Sequence, residues 1–254
     1  MDFPPYYFVS DQLTGSGRDE AVITLLNKRI SSFDTEELLL PASRAVPTLK
    51  DTSKLRCILS LYRTAEREQF TTFSRQFSTI GLPITVAMRR QTRAQLGLQH
   101  TPSVSLMALM NDTEHTLGVA MNRSYGNAID TVIKNTSPTV VVTRAGSDAL
   151  ASLTAMLLKE RVDFVLGYAS EHFYAKQQLD KDDQLIQLTL TEAPDFVYGY
   201  VGCSQTADTK EYIYLVDEVL EHLHDSQAFH DIMLRWLPAE LRAKLATQFS
   251  PQSH

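Results

Sequence analysis

Hydrophobic residues recur along this chain with two spacings, one typical of β-strands and one typical of α-helices. Segments of the two kinds alternate, so strands and helices are predicted in alternation. Apolar runs predict strands over residues 3–9 and 55–61, and an apolar stripe with helical spacing predicts a helix over residues 18–29. A shorter helix is expected over residues 41–49. Strand, turn and helix in this order are typical of an α/β fold.

The same alternation fills the middle of the chain. The predicted strands there are 81–88, 116–121, 139–143, 162–167 and 185–190, and the predicted helices are 127–134 and 147–160. A further strand over residues 195–203 precedes three C-terminal helices. Alternating elements of this kind favour a mostly parallel sheet with helices packed on it.

One segment combines a helix start with a line of large aromatic rings. Thr64 is a good helix N-cap, and Arg67 falls in the first turn of the helix. Three rings follow at spacings of three and four residues, which predicts that one buried helical face carries Phe70, Phe73 and Phe77. Arg67 is then expected at a rigid helix start.

Two interpretations of Arg67 are open from the residues alone. A fixed guanidinium beside free backbone N–H groups is a ready site for a carboxylate, because its planar fork matches two oxygens. The same side chain can also form an ordinary surface ion pair with Glu66 or Glu68.

Composition and charge narrow the classes of function. A chain of 254 residues with 43% hydrophobic residues can bury a large core as one or two domains. The net charge of -6 argues against a general nucleic-acid binder. No apolar stretch reaches the roughly 20 residues that span a membrane, and no signal peptide is recognisable. The opening Met1-Asp2-Phe3 fits a chain from which an export signal was trimmed and to which a start Met was added.

The residues indicate no metal site, no cofactor and no catalytic group. His222, His224 and His230 are not joined by a Cys or an acid that completes a zinc site. No glycine-rich phosphate loop and no nucleophile motif occurs. The two cysteines, Cys57 and Cys203, each lie in an apolar run. Two buried free thiols are one interpretation, and the cytosol and the periplasm both stay open.

Several motifs together resemble those of type II periplasmic (extracellular) solute-binding proteins, the family 3-like receptors of amino-acid ABC transporters. The motifs are T-A-E-R at 64–67, F-S at 73–74, L-G-V-A-M-N-R-S-Y-G at 117–126, R-V-D at 161–163 and the opening Phe3-Pro-Pro. The resemblance covers nearly the whole chain.

This resemblance implies a two-lobed α/β fold of the type II periplasmic-binding-protein kind. Lobe 1 is expected to comprise residues 1–84 with 198–254, and lobe 2 residues 85–197. Each lobe is expected to be a mostly parallel sheet flanked by helices. Two crossing strands, within 81–88 and 195–203, are expected to join the lobes.

The resemblance also implies a ligand site between the lobes. Its expected residues are Phe3, Thr64, Arg67, Arg123, Ser124 and Tyr168. In this family the arginine of T-x-E-R typically grips the ligand's carboxylate, and an aromatic residue near the N-terminus often stacks on the ligand. In this family, hydroxyl and N–H groups of the corresponding loop meet the ligand's acidic end, so the resemblance implies the same role for the R-S-Y-G loop. The competing interpretations are that Phe3 is part of the core and that Ser124 is an ordinary N-cap.

Tyr168 departs from the pattern of the family. Amino-acid receptors commonly have an Asp at this position, which pairs with the ligand's ammonium group. A tyrosine offers a flat face and a hydroxyl group instead of a charge. The expected ligand is therefore a different organic anion or an aromatic or capped amino compound, unless Glu171 or Asp195 meets an ammonium group.

In the resembling fold the strands that contain Cys57 and Cys203 are neighbours, so the resemblance implies a disulfide between these two residues. A disulfide of this kind closes a long loop and stabilises the folded chain. It also favours an oxidising compartment.

The function implied is that of a periplasmic or extracytoplasmic receptor, without catalysis, that captures a small polar, carboxylate-bearing solute for ABC-type import. The expected partners are an organic anion or amino-acid-like ligand and a membrane permease, with no nucleic acid, and the protein is expected to be a monomer. The alternatives are a ligand-sensing module of a signalling or cell-wall system and a dehydratase-like enzyme. For the enzyme, Glu66 is the nearest candidate general acid.

Overall fold

The chain forms two compact units. The computed structural model describes residues 3–8, 13–38, 40, 42–111, 114–121, 123–146 and 148–249. Unit 1 comprises Met1–Gly81 with Phe196–His254, and unit 2 comprises Leu82–Asp195. The boundaries expected from the sequence fall three and two residues further along the chain than these.

Helices and strands alternate through both units. The first part of unit 1 contains α1 (Arg18–Arg29), α2 (Ala42–Thr48), β1 (Cys57–Leu61), α3 (Ala65–Glu68) and β2 (Thr71–Gly81). Unit 2 contains β3 (Ile84–Arg89), α4 (Arg90–Gln95), β4 (Ser103–Val104), α5 (Leu106–Met110), β5 (Leu117–Ala120), α6 (Asn127–Asn135), β6 (Val141–Arg144), α7 (Ala149–Leu158), β7 (Phe164–Tyr168), α8 (Ala169–Leu179) and β8 (Leu185–Leu190). The rest of unit 1 contains β9 (Val197–Ser204), α9 (Thr209–His224), α10 (Gln227–Leu234) and α11 (Ala239–Ala246).

The described sheet of unit 1 is antiparallel, with strand order β1-β9-β2. The expectation of a mostly parallel sheet is therefore wrong for this unit. The chain leaves unit 1 at the end of β2 and returns along β9, which pairs directly with β2 from Gly81 opposite Val197 to Thr71 opposite Ser204. Two adjacent strands that leave and return in this way must run in opposite directions.

Residues 3–8 form a tight turn, and the strand expected over residues 3–9 is wrong for the described part of this range. The N–H of Phe3 donates to the carbonyl of Tyr7, and the N–H of Tyr6 donates to the carbonyl of Phe3. The Pro4–Pro5 peptide bond within the turn is cis. Two consecutive prolines lack the N–H donors that a paired strand needs. The last residue of the expected strand, Val9, lies outside the described residues.

This turn packs on the start of α1, which begins at the residue expected from the sequence. The N–H of Arg18 donates to Pro5, and a Cβ at Gly17 would lie 2.2 Å from the carbonyl oxygen of Tyr6. Only glycine leaves room for so close an approach. The Glu20 carboxylate accepts from the N–H groups of Phe8 and Gly17 and so joins the turn to the helix.

Unit 2 contains a six-stranded mixed sheet with order β4-β8-β3-β7-β5-β6. β3 is antiparallel to β7 and β8, whereas β4/β8, β5/β7 and β5/β6 are parallel pairs. Five strands therefore end at one edge, where β3 begins. We call this edge the strand-end edge of unit 2.

Apolar side chains cover both faces of the sheet in unit 2. One cluster includes Val86, Leu117 and Phe164, and the other includes Leu153 and Val165. All six residues of β3 are buried, as expected for a strand at the centre of a two-sided layer. This packing fixes the strand ends from which the candidate site is built.

No helix among the described residues is long and apolar enough to cross a lipid bilayer.

Candidate functional site

The strand-end edge of unit 2 contains three of the residues expected in the ligand site. Arg123 and Ser124 lie in the loop between β5 and α6, and Tyr168 is the last residue of β7 and the N-cap of α8. Ligands of open α/β sheets bind outside the carboxyl ends of the strands, where loops with functional side chains converge. This edge is therefore the part of unit 2 best placed to bind a small molecule.

A buried ion pair organises this edge. The two outer nitrogens of Arg123 lie 3.0 Å and 2.8 Å from the two carboxylate oxygens of Glu171, a bidentate pair. The Glu171 side chain is only 1% exposed. Glu171 also accepts from the N–H of Tyr168 and so caps α8. Burial alone disfavours the charged guanidinium, but the Glu171 carboxylate outweighs it and holds the pKa of Arg123 above its usual value.

Two tyrosine rings lie against the guanidinium of Arg123. Its central carbon is 5.0 Å from the ring centroid of Tyr168 and 5.4 Å from that of Tyr125, distances at which a cation attracts an aromatic face. The Tyr125 hydroxyl oxygen accepts a hydrogen bond from the N–H of Ala120. Burial raises the pKa of Tyr125 to about 12, so this hydroxyl keeps its proton at neutral pH. Arg123 and Tyr168, expected as ligand residues, are thus neighbours.

Ser124 is turned toward a carboxylate. Its hydroxyl donates to Asp130 of α6, and Asp130 also accepts from the N–H of Tyr125 at 2.8 Å. The oxygen of Ser124 in turn accepts from the N–H of Gly126. The hydrogen bond from Ser124 to Asp130 fixes the loop. The negative charge of Asp130 opposes the binding of an anion at the Ser124 hydroxyl.

An open depression of about 400 Å³ lies beside this loop within unit 2. Its walls include Arg123, Tyr125 and Asp130, together with Ile133 and Lys134 of α6. The depression combines both signs of charge with apolar surface.

Thr64 and Arg67 lie together in unit 1, at the short helix α3. Thr64 is the N-cap and accepts from the N–H of Arg67 at 3.3 Å, so the predicted cap is confirmed. An outer nitrogen of Arg67 donates to the carbonyl of Tyr62 at 2.7 Å, and the side chain of Arg67 is half-buried. The guanidinium is therefore anchored by the backbone of the segment that precedes the helix.

The aromatic rings do not form the helical face expected beneath Arg67. α3 ends at Glu68, and Phe73 and Phe77 belong to strand β2, so the predicted helical stripe is wrong. The guanidinium over the ring of Phe73 is that of Arg63, which lies 5.4 Å from the ring centroid. Arg63 also donates to the carbonyl of Ser74 at 2.7 Å.

Phe3, the last expected ligand residue, lies in the N-terminal turn of unit 1. Its ring centroid is 5.1 Å from that of Tyr6, and its backbone pairs with Tyr7. Phe3 is half-buried. The residues expected in the ligand site thus fall into two groups, Phe3, Thr64 and Arg67 in unit 1 and Arg123, Ser124 and Tyr168 in unit 2.

Cys57 and Cys203 form a disulfide. The two residues are directly opposite one another in the antiparallel pair β1/β9. Cys203 is fully buried, whereas Cys57 is exposed. The bond ties the strand before α3 to the strand that returns from unit 2.

Within the described part of the chain, no three His, Cys, Asp or Glu side chains are grouped as metal ligands would be.

Two residues important for this geometry have only a weak signal in the sequence. Glu171 was a candidate partner for a ligand ammonium, but both of its oxygens are engaged by Arg123 and the backbone of Tyr168. The N-cap residue of α8 is a tyrosine, which is not a typical capping residue, so the sequence does not indicate that Glu171 caps this helix. Arg63 lies one position before the recognisable cap Thr64, so only the packing of β2 and β9 reveals its contacts.

Comparison with known proteins identifies the fold. Solved structures of solute-binding proteins match the chain over nearly its whole length, and the chain has the two-lobed type II periplasmic-binding-protein fold. No protein-family model matches the chain, and no curated protein sequence does.

Three solved structures illustrate the likeness. A substrate-binding protein of an amino-acid ABC transporter is 17% identical, with a TM-score of 0.60 over 92% of this chain and 95% of that one. An ancestral arginine-binding protein bound to arginine is 16% identical, with a TM-score of 0.64 over 93% and 94%. A structure from work on glutathione import in Streptococcus mutans is 15% identical, with a TM-score of 0.67 over 94% of both chains.

Proposed function

We propose that the protein is an extracytoplasmic receptor that captures a small polar, carboxylate-bearing solute between its two lobes for ABC-type import. The observation that carries the proposal is the likeness of the fold, over nearly the whole chain, to receptors of amino-acid ABC transporters. Fold alone does not determine function, so the residues at the proposed site must also suit a solute.

The anchored arginine of unit 1 supports a carboxylate ligand. Arg67 follows a capped helix start, and a hydrogen bond to Tyr62 orients its guanidinium. A preoriented guanidinium loses less side-chain freedom on binding a carboxylate than a mobile one does. We propose that Arg67 binds the solute's carboxylate and that Thr64 holds Arg67 in place. Phe3 is the proposed aromatic contact of the solute.

Arg123, Ser124 and Tyr168 of unit 2 are the proposed second half of the site. Contacts that form only when a solute meets both halves favour a closed state, because a ligand shifts a conformational equilibrium by its differential affinity for the two states. A membrane permease that recognises the closed state would then receive the solute. The receptor is proposed to act as a monomer without catalysis.

A thermal-shift screen tests the proposal. The protein is unfolded to release any bound solute, refolded and screened against amino acids, dipeptides and organic acids. A solute at a hundredfold excess over its Kd adds about 2.7 kcal/mol to the free energy of unfolding, which gives a clear rise in Tm. The Arg67→Ala variant is expected to lose this rise. Arg75→Ala, which removes a 78% exposed arginine of the same unit, is the matched control and is expected to keep it.

Either of two results would contradict the proposal. A solute that stabilises the wild type and Arg67→Ala equally would remove Arg67 from the site. A screen in which no acid raises the Tm of the refolded wild type would remove the receptor function.

Sensing is the second candidate function. A histidine kinase sensor domain with similarity to periplasmic binding proteins is 15% identical, with a TM-score of 0.65 over 93% of this chain and 92% of that one. The same capture of a solute would serve a sensor. The full-length gene distinguishes the two, because a sensor is encoded together with a signalling domain.

An enzyme is the weaker alternative. One match, 14% identical with a TM-score of 0.62, is an ancestral amino-acid-binding protein described as a precursor of cyclohexadienyl dehydratase. A dehydratase needs a poised general acid. Glu66 is exposed in the first turn of α3, a position that helix electrostatics explain without catalysis. Turnover assays with prephenate-like acids separate an enzyme from a receptor.

A further inference from the structure

At the strand-end edge of unit 2, the charges of Arg123 and Glu171 are paired with each other. Glu171 uses one oxygen for Arg123 and the other for both Arg123 and the N–H of Tyr168. The pair is deeply buried, with side chains 17% and 1% exposed. To an incoming solute, the neutralised pair offers neither a lone anion nor a lone cation.

Two other carboxylates at this edge are also engaged by local donors. Asp130 accepts from the hydroxyl of Ser124 and the N–H of Tyr125. Glu192, which follows β8, accepts from the hydroxyl of Ser105 and from two N–H groups at the start of α5. An acid whose oxygens already accept hydrogen bonds has fewer lone-pair sites left for another donor.

An ammonium group brought to this edge would lose its hydration and meet carboxylates that already accept hydrogen bonds, beside a guanidinium. Burying a charge without a matching partner is unfavourable. A site without a partner for an added polar group can discriminate against it by up to about a hundredfold.

An uncharged, flat group suits the same surface. The guanidinium carbon of Arg123 lies over the half-buried ring of Tyr168, 5.0 Å from its centroid, and 5.4 Å from the ring centroid of Tyr125. Aromatic or conjugated groups pack on such planar surfaces through dispersion and quadrupole interactions.

We propose that this edge selects solutes whose facing part is uncharged and flat, so that the receptor prefers carboxylic acids without an ammonium group to the corresponding α-amino acids. The inference rests on the proposed receptor function and specifies the class of solute. The solute's carboxylate is assigned to Arg67, and its aromatic or unsaturated part to Tyr168 and Arg123.

Matched pairs of compounds that differ only in the amino group test this inference. The pairs are 3-phenylpropionate with phenylalanine, 3-(4-hydroxyphenyl)propionate with tyrosine, and indole-3-propionate with tryptophan. Their Kd values are measured by isothermal titration calorimetry on refolded wild-type protein. In each pair that binds, we expect the acid without the amino group to bind at least about tenfold more tightly.

The outcomes separate this inference from the broader function. If the amino acid of a pair binds as tightly as its partner or more tightly, the selectivity is wrong while the receptor function stands. If no carboxylate binds in the pairs or in the broader screen, the receptor function fails and the inference fails with it. Two further variants, Asp148→Asn and Asp195→Asn, each remove an exposed acid. If either variant binds the amino acid of a pair more weakly than the wild type does, that acid pairs with the ammonium group and the proposed selectivity is wrong.

Variants of the ion pair provide a second test. Arg123→Met releases the Glu171 carboxylate and is expected to raise the relative affinity for the amino acid of a pair about tenfold. Tyr168→Asp, which adds a carboxylate at the same edge, is expected to do the same and serves if Arg123→Met does not fold. Arg90→Met, which removes an exposed ion pair with Asp183, is the control and should leave the ratio unchanged. Unchanged ratios in folded Arg123→Met and Tyr168→Asp would contradict the proposal.

Discussion

At the scale of single residues, His172 of α8 is a titratable group whose pKa burial lowers strongly. It is fully buried, and its ring approaches the backbone of Gly167 so closely that a Cβ there would lie 3.0 Å from two ring atoms. Neither ring nitrogen makes a hydrogen bond of normal geometry with any described residue. Burial, with a smaller contribution from the charge of Arg123, lowers the pKa of His172 to about 3, although the backbone of Thr85 partly opposes this.

His172 therefore makes the protein sensitive to mild acid. The folded state holds a neutral ring, whereas the unfolded chain takes up a proton near pH 6.5, so stability is complete above this value and falls as the pH decreases toward 3. At a pH of about 5, this residue alone should lower the free energy of unfolding by about 2 kcal/mol relative to neutral pH. Urea denaturation at several pH values measures the loss.

His172→Leu removes the titrating group and is expected to flatten the profile between pH 7 and 5. The exposed His222 changed to Leu is the control and should keep the wild-type slope. A His172→Leu profile as steep as that of the wild type would show that other groups cause the acid sensitivity.

At the scale of elements, strand β2 contains an irregularity that helix α9 repairs. The pairing of β2 with β9 shifts register between Phe73 and Phe77. The N–H groups of Arg75 and Gln76, at this shift, donate to one oxygen of Asp217 on α9 at 2.7 Å and 2.9 Å. The Asp217 side chain is 4% exposed. A buried carboxylate thus takes the place of the missing ladder partners.

Asp217→Ala is expected to lower the free energy of unfolding by about 2–4 kcal/mol, because two backbone N–H groups lose their acceptor. Glu218→Ala, one residue further on the same helix, removes an exposed acid that binds only at the surface to Tyr214 and should change stability by less than about 0.5 kcal/mol. Urea denaturation followed by circular dichroism compares the two variants. Equal stabilities would mean that the irregular strand does not depend on α9.

Elements with strong local signals were predictable from the sequence. α1 was expected over residues 18–29 and has these bounds, because its apolar stripe and its basic end are encoded within the helix itself. β8 was likewise expected over the residues that form it. The segment around Phe73 and Phe77 was misread, since a spacing of four residues keeps side chains on one face of both a helix and a strand. Pairing with β9, which is remote in sequence, decides between the two.

Local features of the candidate site were predictable from the sequence, but its contacts were not. The cap Thr64 is a local feature and was expected. The bidentate pair of Arg123 with Glu171 joins residues 48 positions apart, and only the parallel pairing of β5 with β7 brings their loops together. The spacing of hydrophobic residues along the sequence does not predict a contact between residues so far apart.

At the scale of the whole molecule, the disulfide encloses all of unit 2. Cys57 and Cys203 are 146 residues apart, and the intervening chain includes the entire range Leu82–Asp195. A crosslink across so long a loop removes much freedom from the unfolded chain. Reduction is therefore expected to lower the free energy of unfolding by about 2–5 kcal/mol. Urea denaturation with and without reductant measures the difference.

The Cys57→Ser/Cys203→Ser variant is the control for this measurement. It should have the stability of the reduced wild type and should not respond to reductant. Equal stability of the oxidised wild type and the double variant would show that the bond adds nothing to the folded chain.

Unit 2 is formed by one segment of the chain and unit 1 by two segments, and this difference predicts which fragments can fold on their own. Unit 2 is one continuous segment with its own apolar clusters on both faces of its sheet. Residues 82–195 alone are therefore expected to fold cooperatively. Unit 1 is discontinuous, but Gly81 and Val197 are directly paired across β2 and β9. A turn of two to five residues can join adjacent antiparallel strands, so residues 1–81 linked to 196–254 through a short Gly-rich turn should also fold.

Both fragments are tested by sharp urea transitions and dispersed amide signals in NMR spectra. The control is residues 60–173, a fragment of the same length as unit 2. It should remain unfolded, because it contains β2 and β3 but lacks their partner strands β9 and β8. If residues 82–195 fail to fold while the intact chain unfolds in one step, the stability of unit 2 depends on unit 1. In that case the division into two units describes packing density without independent stability.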